Sequence, residues 1–347
     1  MPDSRVALYY DPIFLAHDTL DHPESAARLP ACLALIEESG LKRRLTWMPC
    51  RDFTEAELAR VHTLEHIERM RHVGERGPVF VLADTVANSG TYAAALRAAG
   101  ACIGATEAVV RGEVDSAFCL VRPPGHHAVA DAPMGFCFFN NVAVAAQHAR
   151  QVLEVRQLAI VDIDIHHGNG TQDAFYADPS VLYVSMHQYP FYPGTGHWRE
   201  MGEGPGRGTT LNLPLPAGCG DIEYSRVFDE LIAKALRVCR PELLLVSAGF
   251  DAHYADPISG AGQRLSCAGY ASLIRGLKSL AGELCDGRIV VALEGGYDLT
   301  ALAWCVRNSL EVLLGDLITP DPLGPAPPTA APDIDALIET AGSVYGL

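Results

Sequence analysis

The chain has 347 residues, a formal net charge of −16 and hydrophobic residues at 49% of its positions. This hydrophobic content suits a large folded core, which excludes intrinsic disorder. The acidic charge disfavours a nucleic-acid binder, because such proteins use a cationic face to displace counterions from phosphates.

The ten cysteines are scattered, and the closest pair, Cys102 and Cys119, is 17 positions apart. Neither a C-x-x-C zinc spacing nor a dense disulfide framework is present, so we expect a reducing cytoplasm. The N-terminus carries charges where a signal peptide needs an apolar core, and no apolar stretch approaches the roughly 18 residues of a membrane span. These features predict neither export nor membrane insertion.

The first third of the chain predicts one strand and three helices. The strand covers residues 6–10, and a proline-containing loop follows, in which the polar segment 21–28 is expected at the surface, although it could rim a site. Apolar residues at helical spacing predict helices over 31–38, 55–73 and 91–111. Asp84 precedes the last helix and could serve as a helix cap or as a substrate-binding carboxylate.

The remaining chain alternates predicted strands and helices. The strands cover 117–121, 158–161, 181–186, 211–215, 243–246 and 289–293, and the helices cover 142–153, 222–240, 267–285 and 298–314. Continuous apolar runs such as 243–246 are typical of parallel strands covered on both faces. With no internal repeat and no second core, residues 1–315 predict a single-domain, three-layer α/β/α fold with a mostly parallel central sheet. The Pro/Ala-rich segment 316–347 predicts a tail with a short helix packed on that domain.

Four predicted strands end in polar residues of complementary chemistry. These residues are His126 and His127 after the strand at 117–121, Asp162, Asp164 and His166 after the strand at 158–161, Asp251 after the strand at 243–246, and Tyr297 after the strand at 289–293. The carboxyl ends of parallel strands lie at one edge of a sheet, so these side chains can meet. Carboxylate oxygens and imidazole nitrogens are suitable ligands for zinc or a similar divalent ion. Each residue alone has an ordinary structural explanation, but the coincidence at four strand ends predicts a hydrolytic metal site.

Five motifs resemble the histone deacetylase and acetylpolyamine amidohydrolase family, specifically its class II-like and bacterial branch. They are RPPGHHA at 122–128, GFCFFN at 135–140, DIDIHHGNGTQ at 162–172, SAGFD at 247–251 and EGGY at 294–297. Their order and spacing fit the family over residues 5–315.

The resemblance implies two metal sites. Asp164, His166 and Asp251 match the ligands of one zinc ion per chain. A structural potassium ion is also implied, at a site that involves Asp162, Asp164, His166, Ser185 and Met186.

The resemblance also implies catalytic roles. His127 matches the general base that takes a proton from water, His126 matches its partner histidine, and Tyr297 matches the hydroxyl that donates to the developing oxyanion. Asp162 matches the carboxylate behind His126, and Asn169 stands behind His127 as in class II-like members. Class I members have Asp at the latter position, so we expect His127 to be less basic here.

For the substrate, Gly135, Phe136 and Tyr192 resemble parts of an acyl-lysine tunnel, with Tyr192 where Phe is usual. Asp84 resembles the rim carboxylate that holds the substrate backbone. Ile258 falls where dedicated polyamine deacetylases of the class II type place a glutamate, so one reason to favour acetylpolyamines is missing.

The main hypothesis is therefore a zinc-dependent deacetylase acting on an acetylated lysine peptide or an acetylated small amine, without nucleic-acid or membrane partners and compatible with a homo-oligomer. An acetylpolyamine amidohydrolase is the alternative enzyme. A non-catalytic acyl-lysine binding module is a third hypothesis, against which the presence of Tyr297 argues. Arginase-like binuclear chemistry would require more carboxylate ligands than this pattern offers.

Overall fold

The computed structural model describes residues 4–51, 54–82, 84–259 and 262–347. Eight strands form one sheet in the spatial order β2-β1-β5-β10-β9-β6-β7-β8, and every neighbouring pair is parallel. The strands are β1 Val6–Tyr9, β2 Thr46–Met48, β5 Ser116–Cys119, β6 Leu158–Asp162, β7 Val181–Gln188, β8 Thr210–Leu215, β9 Leu244–Ala248 and β10 Ile289–Leu293. A separate antiparallel hairpin consists of β3 Val79–Leu82 and β4 Thr85–Ala87.

Helices pack around this sheet in two groups. They are α1 Arg28–Glu38, α2 Glu55–Leu58, α3 Leu64–Arg71, α4 Thr91–Val110, α5 Asn141–Val152, α6 Asn169–Phe175, α7 Asp221–Val227, α8 Ala233–Cys239, α9 Cys267–Leu284, α10 Leu299–Leu314 and α11 Asp335–Tyr345. Helix α4 packs on α5, whereas α10 packs on both α1 and α9. Both α4 and α10 also contact β1. The predicted three-layer α/β/α fold with a mostly parallel central sheet is confirmed.

The register of the sheet brings four strand ends to one level. A single row of paired residues crosses these four strands: Cys119 of β5, Ala292 of β10, Ser247 of β9 and Asp162 of β6. The loops that carry the predicted site residues leave the sheet within a few residues of this row. Because β5, β10, β9 and β6 are consecutive neighbours, these loops converge over the middle of one sheet edge.

Two predicted helices differ from the observed ones. The helix expected over 55–73 is two helices, α2 and α3, because Thr63 starts a new one: its side chain accepts a hydrogen bond from the N–H of His66. The backbone N–H of Thr63 is bound by the carbonyl of Ala130, which fixes the break. Helices α7 and α8 are joined by a π-helical turn, Phe228–Ile232, within the helix predicted over 222–240.

The expectation that segment 21–28 lies at the surface is wrong for Glu24 and Arg28. Glu24 and Arg28 are fully buried, and they form an ion pair with 3.1 Å between Arg28 Nη1 and Glu24 Oε1. The capping role considered for Asp84 is also not observed, since this residue lies in the turn between β3 and β4 and the N-cap of α4 is Gly90.

Helix α4 is long and apolar enough to cross a membrane by length and composition alone. However, 67% of its most apolar stretch is buried inside the protein, and we interpret it as a core helix. The C-terminal segment ends in α11, whose Tyr345 hydroxyl accepts a hydrogen bond from the N–H of Asn212 in β8 at 3.1 Å. The tail therefore contacts the edge strand of the sheet.

Candidate active site

Two carboxylates and one imidazole meet beyond the ends of β6 and β9. Potential ligand atoms of Asp164, His166 and Asp251 all lie within 4.8 Å of one another, and all three residues are buried. Hydrogen bonds fix the two carboxylates: Asp164 Oδ2 accepts from the N–H of Gly295 at 3.0 Å, and Asp251 Oδ1 accepts from the N–H of Ile165 at 3.0 Å. The strand β6 itself ends at Asp162, and a bend after the strand brings Asp164 and His166 together.

The donor set fits a divalent metal. His166 Nδ1 lies 2.9 Å from Asp164 Oδ1 and 3.2 Å from Asp251 Oδ2. Apart from this contact with His166, Asp251 Oδ2 is buried without a hydrogen-bond partner, which is costly unless a cation lies nearby. Although burial opposes ionisation, the two carboxylates raise the pKa of His166 to about 9. This cluster attracts positive charge, and its oxygen and nitrogen donors suit zinc.

The adjacent histidines have different partners. His126 Nδ1 lies 3.0 Å from Asp162 Oδ2, and His127 Nδ1 lies 2.8 Å from Asn169 Oδ1. Their rings are 4.0 Å apart, so a charge on one opposes a charge on the other.

These surroundings shift the two pKa values in opposite directions. Burial opposes the charged form of His126, but Asp162 and Asp164 raise its pKa well above the ordinary value. Burial and the neighbouring His126 hold the pKa of His127 well below the ordinary value. His127 is therefore the neutral member of the pair and can accept a proton, which is the arrangement expected of a general base beside a charged partner.

A cavity of about 240 Å³ opens above these groups. It is lined by the two histidines and His166, by the five predicted substrate residues Asp84, Gly135, Phe136, Tyr192 and Ile258, and by Pro124, Phe191, Gly295 and Tyr297. Tyr192 meets the ring of His127 edge-on with 5.1 Å between centroids, and Phe191 stacks on His166 at 5.1 Å. The cavity is thus narrow and aromatic, with an exposed carboxylate, Asp84, among its lining residues.

The loop that carries Phe136 has an unusual backbone conformation. Gly135 and Phe136 have φ values of +52° and +67°, and the N–H of Phe136 donates to the Thr85 hydroxyl at 3.1 Å. This contact connects the loop to the β3–β4 hairpin, an element that sequence reasoning did not predict. Positive φ is strained for Phe, so the hairpin helps to hold the aromatic wall in place.

Tyr297 is held by buried residues that the sequence analysis did not single out. Its N–H donates to Asp256 Oδ2 at 2.6 Å, and the guanidinium of Arg28 lies 5.0 Å from its ring centroid. Arg28 also donates to the carbonyls of Gly296 and Glu294, at 2.7 and 2.6 Å. No local pattern indicates these contacts, because Arg28 belongs to a segment more than 260 positions away in sequence.

A second group of possible ligands is already satisfied internally. Ligand atoms of His126, Cys137 and Glu294 lie within 4.8 Å of one another. Glu294 accepts from the N–H groups of Gly125 and His126, at 2.6 and 3.2 Å, and from the Ser247 hydroxyl at 3.1 Å. The Cys137 thiol donates to the Gly135 carbonyl at 3.3 Å. We interpret this group as a hydrogen-bonded support for the loop that carries the histidines.

The residues matched to a potassium site lie close together. Asp162 and Ser185 are paired on adjacent strands, and Met186 follows in β7. Asp162 Oδ1 accepts from the N–H of Asp164 at 3.2 Å, and the Ser185 hydroxyl is 2.8 Å from His187 Nδ1.

Comparisons with known proteins agree with this geometry. Residues 22–313 match the family model described as the histone deacetylase domain. The chain is 41% identical over 333 residues to histone deacetylase 14, chloroplastic, of Arabidopsis thaliana, covering 91% of this chain and 78% of the relative. It is 39% identical over 290 residues to a probable deacetylase of Archaeoglobus fulgidus, covering 82% of this chain and 79% of the relative. The crystal structure of the HDA15 HD domain superimposes with a TM-score of 0.89 at 35% identity, covering 99% of this chain and 94% of that one.

Proposed function

The chain belongs to the histone deacetylase family and is a deacetylase, and from this we propose that it removes acetyl groups from N-acetyl-lysine or similar N-acylated amines with one zinc ion per chain. Asp164, His166 and Asp251 would hold the zinc. The observation that carries the proposal is the buried cluster of Asp164, His166 and Asp251, whose potential ligand atoms lie within 4.8 Å of one another, with His166 lining a cavity that also contains His127.

The side chains around the cavity supply the remaining chemistry. Zinc held by Asp164, His166 and Asp251 would polarise an amide carbonyl and make water more acidic. His127 accepts the proton from the attacking water at Nε2, because its Nδ1 is engaged by Asn169, and later returns it to the leaving amine. His126, charged through Asp162, stabilises negative charge nearby. Tyr297 donates its hydroxyl hydrogen to the developing oxyanion.

The shape of the cavity supports an extended acylated chain as the substrate. A narrow cavity of about 240 Å³ with aromatic walls accommodates an alkyl chain that ends in an amide. Asp84 is exposed among the lining residues, where it can accept a hydrogen bond from the backbone of a bound peptide. Ile258 provides no charge for a second amine, which favours acyl-lysine over acetylpolyamines.

Two further properties are proposed. A structural potassium ion at Asp162, Asp164, His166, Ser185 and Met186 is supported by the pairing of Asp162 with Ser185 on adjacent strands and by the hydrogen bond between Asp162 and the N–H of Asp164. A cytoplasmic location is supported by the ten cysteines, all of which are free thiols.

The test is turnover by the zinc-loaded protein of acetyl-lysine peptides beside N-acetylputrescine and N-acetylspermidine, with Tyr297→Phe as the control. We expect turnover of the peptides and a loss of about 10²–10³-fold in the Phe variant, as for removal of one oxyanion donor. Preference for the polyamines would support the alternative enzyme. No turnover of any substrate by a zinc-loaded protein that still binds acetyl-lysine peptide would support the binding module.

A further inference from the structure

Tyr297 has little local support for its backbone. It follows Gly295 and Gly296, and Gly296 has a φ of +115°, a conformation that other residues rarely adopt. The phenol is long, so a small rotation of this backbone displaces the hydroxyl considerably. A donor that acts on an oxyanion has to be held within a fraction of an ångström of its place, and contacts from outside this loop must provide that constraint.

The carboxylate of Asp256 provides such a contact. Its Oδ2 accepts from the N–H groups of Tyr297 and Asp298 at 2.6 and 3.2 Å, and its Oδ1 accepts from the N–H of Ile258 at 2.9 Å. Asp256 is only 5% exposed. One side chain therefore connects the loop after β9 to the loop after β10.

The electrostatic surroundings of Asp256 are unfavourable. Burial and the charge of Asp251 raise the pKa of Asp256 to about 7. Its described hydrogen-bond partners are three backbone N–H groups and no cation. A buried carboxyl group without a cationic partner lowers the stability of the fold. The contribution of Asp256 is therefore to the geometry of the two loops that it connects.

The two groups tied together by Asp256 both line the substrate cavity. Ile258 forms part of the wall, and Tyr297 reaches into it. Arg28 holds the opposite side of Tyr297, through the Gly296 carbonyl and through the face of the ring. The hydrogen bond from the Tyr297 N–H to Asp256 fixes the backbone of Tyr297 relative to Ile258 in the cavity wall.

We propose that Asp256 is a positioning residue that fixes the Tyr297 hydroxyl relative to the substrate carbonyl by bridging the backbone of Tyr297 and Ile258. This inference rests on the function proposed above, because it assigns to Asp256 an effect that acts only through the Tyr297 hydroxyl.

Asp256→Asn is the variant that tests it. An amide of the same shape has one oxygen and one NH2 group, so in either orientation the NH2 group faces a backbone N–H, of Tyr297 and Asp298 or of Ile258. One side of the bridge is lost without a change in volume. Asp221→Asn is the matched control, because Asp221 also bridges two elements, accepting from the Ser266 N–H at 2.8 Å and from its hydroxyl at 2.6 Å, but does not line the cavity.

The measurement is a double-mutant cycle in the zinc-loaded full chain, with the single variants Asp256→Asn and Tyr297→Phe and their combination. Two quantities are measured: kcat with an acetyl-lysine peptide, and the Kd of an alkyl hydroxamate, whose carbonyl occupies the place of the substrate carbonyl. We expect Asp256→Asn to lower kcat by about tenfold or more with the Tyr hydroxyl present and by less than about twofold in the Phe background. The Kd should follow the same pattern, with zinc content and KM unchanged.

An equal loss in both backgrounds would show a general structural role of Asp256 and overturn the inference. Wild-type kcat and Kd in Asp256→Asn would overturn it as well. If this variant does not fold, Asp256→Glu keeps the charge, displaces the carboxylate and is judged by the same criterion. If Tyr297→Phe itself leaves kcat and Kd unchanged, the proposed role of Tyr297 fails. If only the Phe variant is impaired, that role stands and the inference about Asp256 falls.

Discussion

Gly135 lies directly against the ring of the proposed general base. Its φ is +52°, and a Cβ added to it would lie 2.3 Å from Cδ2 of His127. The first feature strains any larger residue, and the second would force the imidazole or the loop to move.

We therefore predict that Gly135→Ala lowers kcat/KM by about a hundredfold, because a displacement of about 1 Å in a catalytic group has an effect of that size. Gly112→Ala is the matched control, since Gly112 has a φ of +70° but no atom within 4 Å of an added Cβ. Both variants carry the backbone strain, and only the first should lose activity. Equal activity in the two variants would contradict the contact with His127.

At the scale of single residues, the convergence of Asp164, His166, Asp251 and the two histidines could be predicted, whereas the contacts that Asp256 and Arg28 make with the Tyr297 loop could not. Asp164, His166, Asp251 and His127 follow apolar strands, and a polar residue at such a position is conspicuous in sequence. Asp256 and Arg28 act through backbone groups of distant loops, and these contacts exist only once the sheet has formed. Sequence reasoning has no local signal for them.

At the scale of elements, Glu24, Arg28 and Arg122 form a buried ionic anchor, a cluster of ion pairs that fixes the segment between β1 and α1. Glu24 accepts from Arg122 at 2.5 Å (Nε) and 2.8 Å (Nη2), and it pairs with Arg28 at 3.1 Å. All three side chains are fully buried. The anchor joins this segment to the start of the histidine loop and, through Arg28, to the Tyr297 loop.

We predict that Glu24→Gln destabilises the protein by about 3–5 kcal/mol, because it leaves two buried guanidinium groups without their counterion. Glu37→Gln is the control: Glu37 pairs with Lys42 on the surface, where an ion pair contributes about 0–1 kcal/mol. Urea unfolding of both variants at pH 7 measures the difference. Similar values for the two would contradict the anchor.

The pH dependence of this difference has a definite sign. Burial opposes ionisation of Glu24, but Arg122, His17 and Arg28 hold its pKa well below the ordinary value. The carboxylate therefore contributes fully above the pKa of the unfolded chain, and its contribution decreases as the pH falls toward the folded value. The gap between wild type and Glu24→Gln should be constant near neutrality and decrease in acid.

The length and burial of the strands explain which parts of the fold could be predicted. Buried strands such as Ile289–Leu293 are continuous apolar runs, and their bounds were predicted within a residue or two. The β3–β4 hairpin was missed because its strands are short, and because the apolar run VFVL of β3 is largely exposed instead of buried in the core. The burial of Glu24 in segment 21–28 was not predicted, because its ion pairs depend on Arg28 at the start of α1 and on Arg122 in the loop after β5.

At the scale of the whole molecule, the C-terminal tail covers an open edge of the sheet. Strand β8 pairs with β7 on one side only, so the N–H of Asn212 would otherwise have no strand partner. The Tyr345 hydroxyl accepts from this N–H at 3.1 Å and donates to the carbonyl of Trp198 at 3.0 Å. Trp198 belongs to the loop between β7 and β8, the same loop that carries Tyr192.

We predict that Tyr345→Phe lowers the free energy of unfolding by about 1–3 kcal/mol, because it leaves a partly buried backbone N–H and a carbonyl without partners. Turnover at 25 °C should be unchanged, since the affected end of the loop lies away from the cavity lining. Tyr10→Phe is the control, as no described residue hydrogen-bonds to the Tyr10 hydroxyl and its ring packs on Phe14. If both variants unfold at the same urea concentration as wild type, the tail does not stabilise this edge. If turnover falls in Tyr345→Phe, the tail also supports the part of this loop that carries Tyr192.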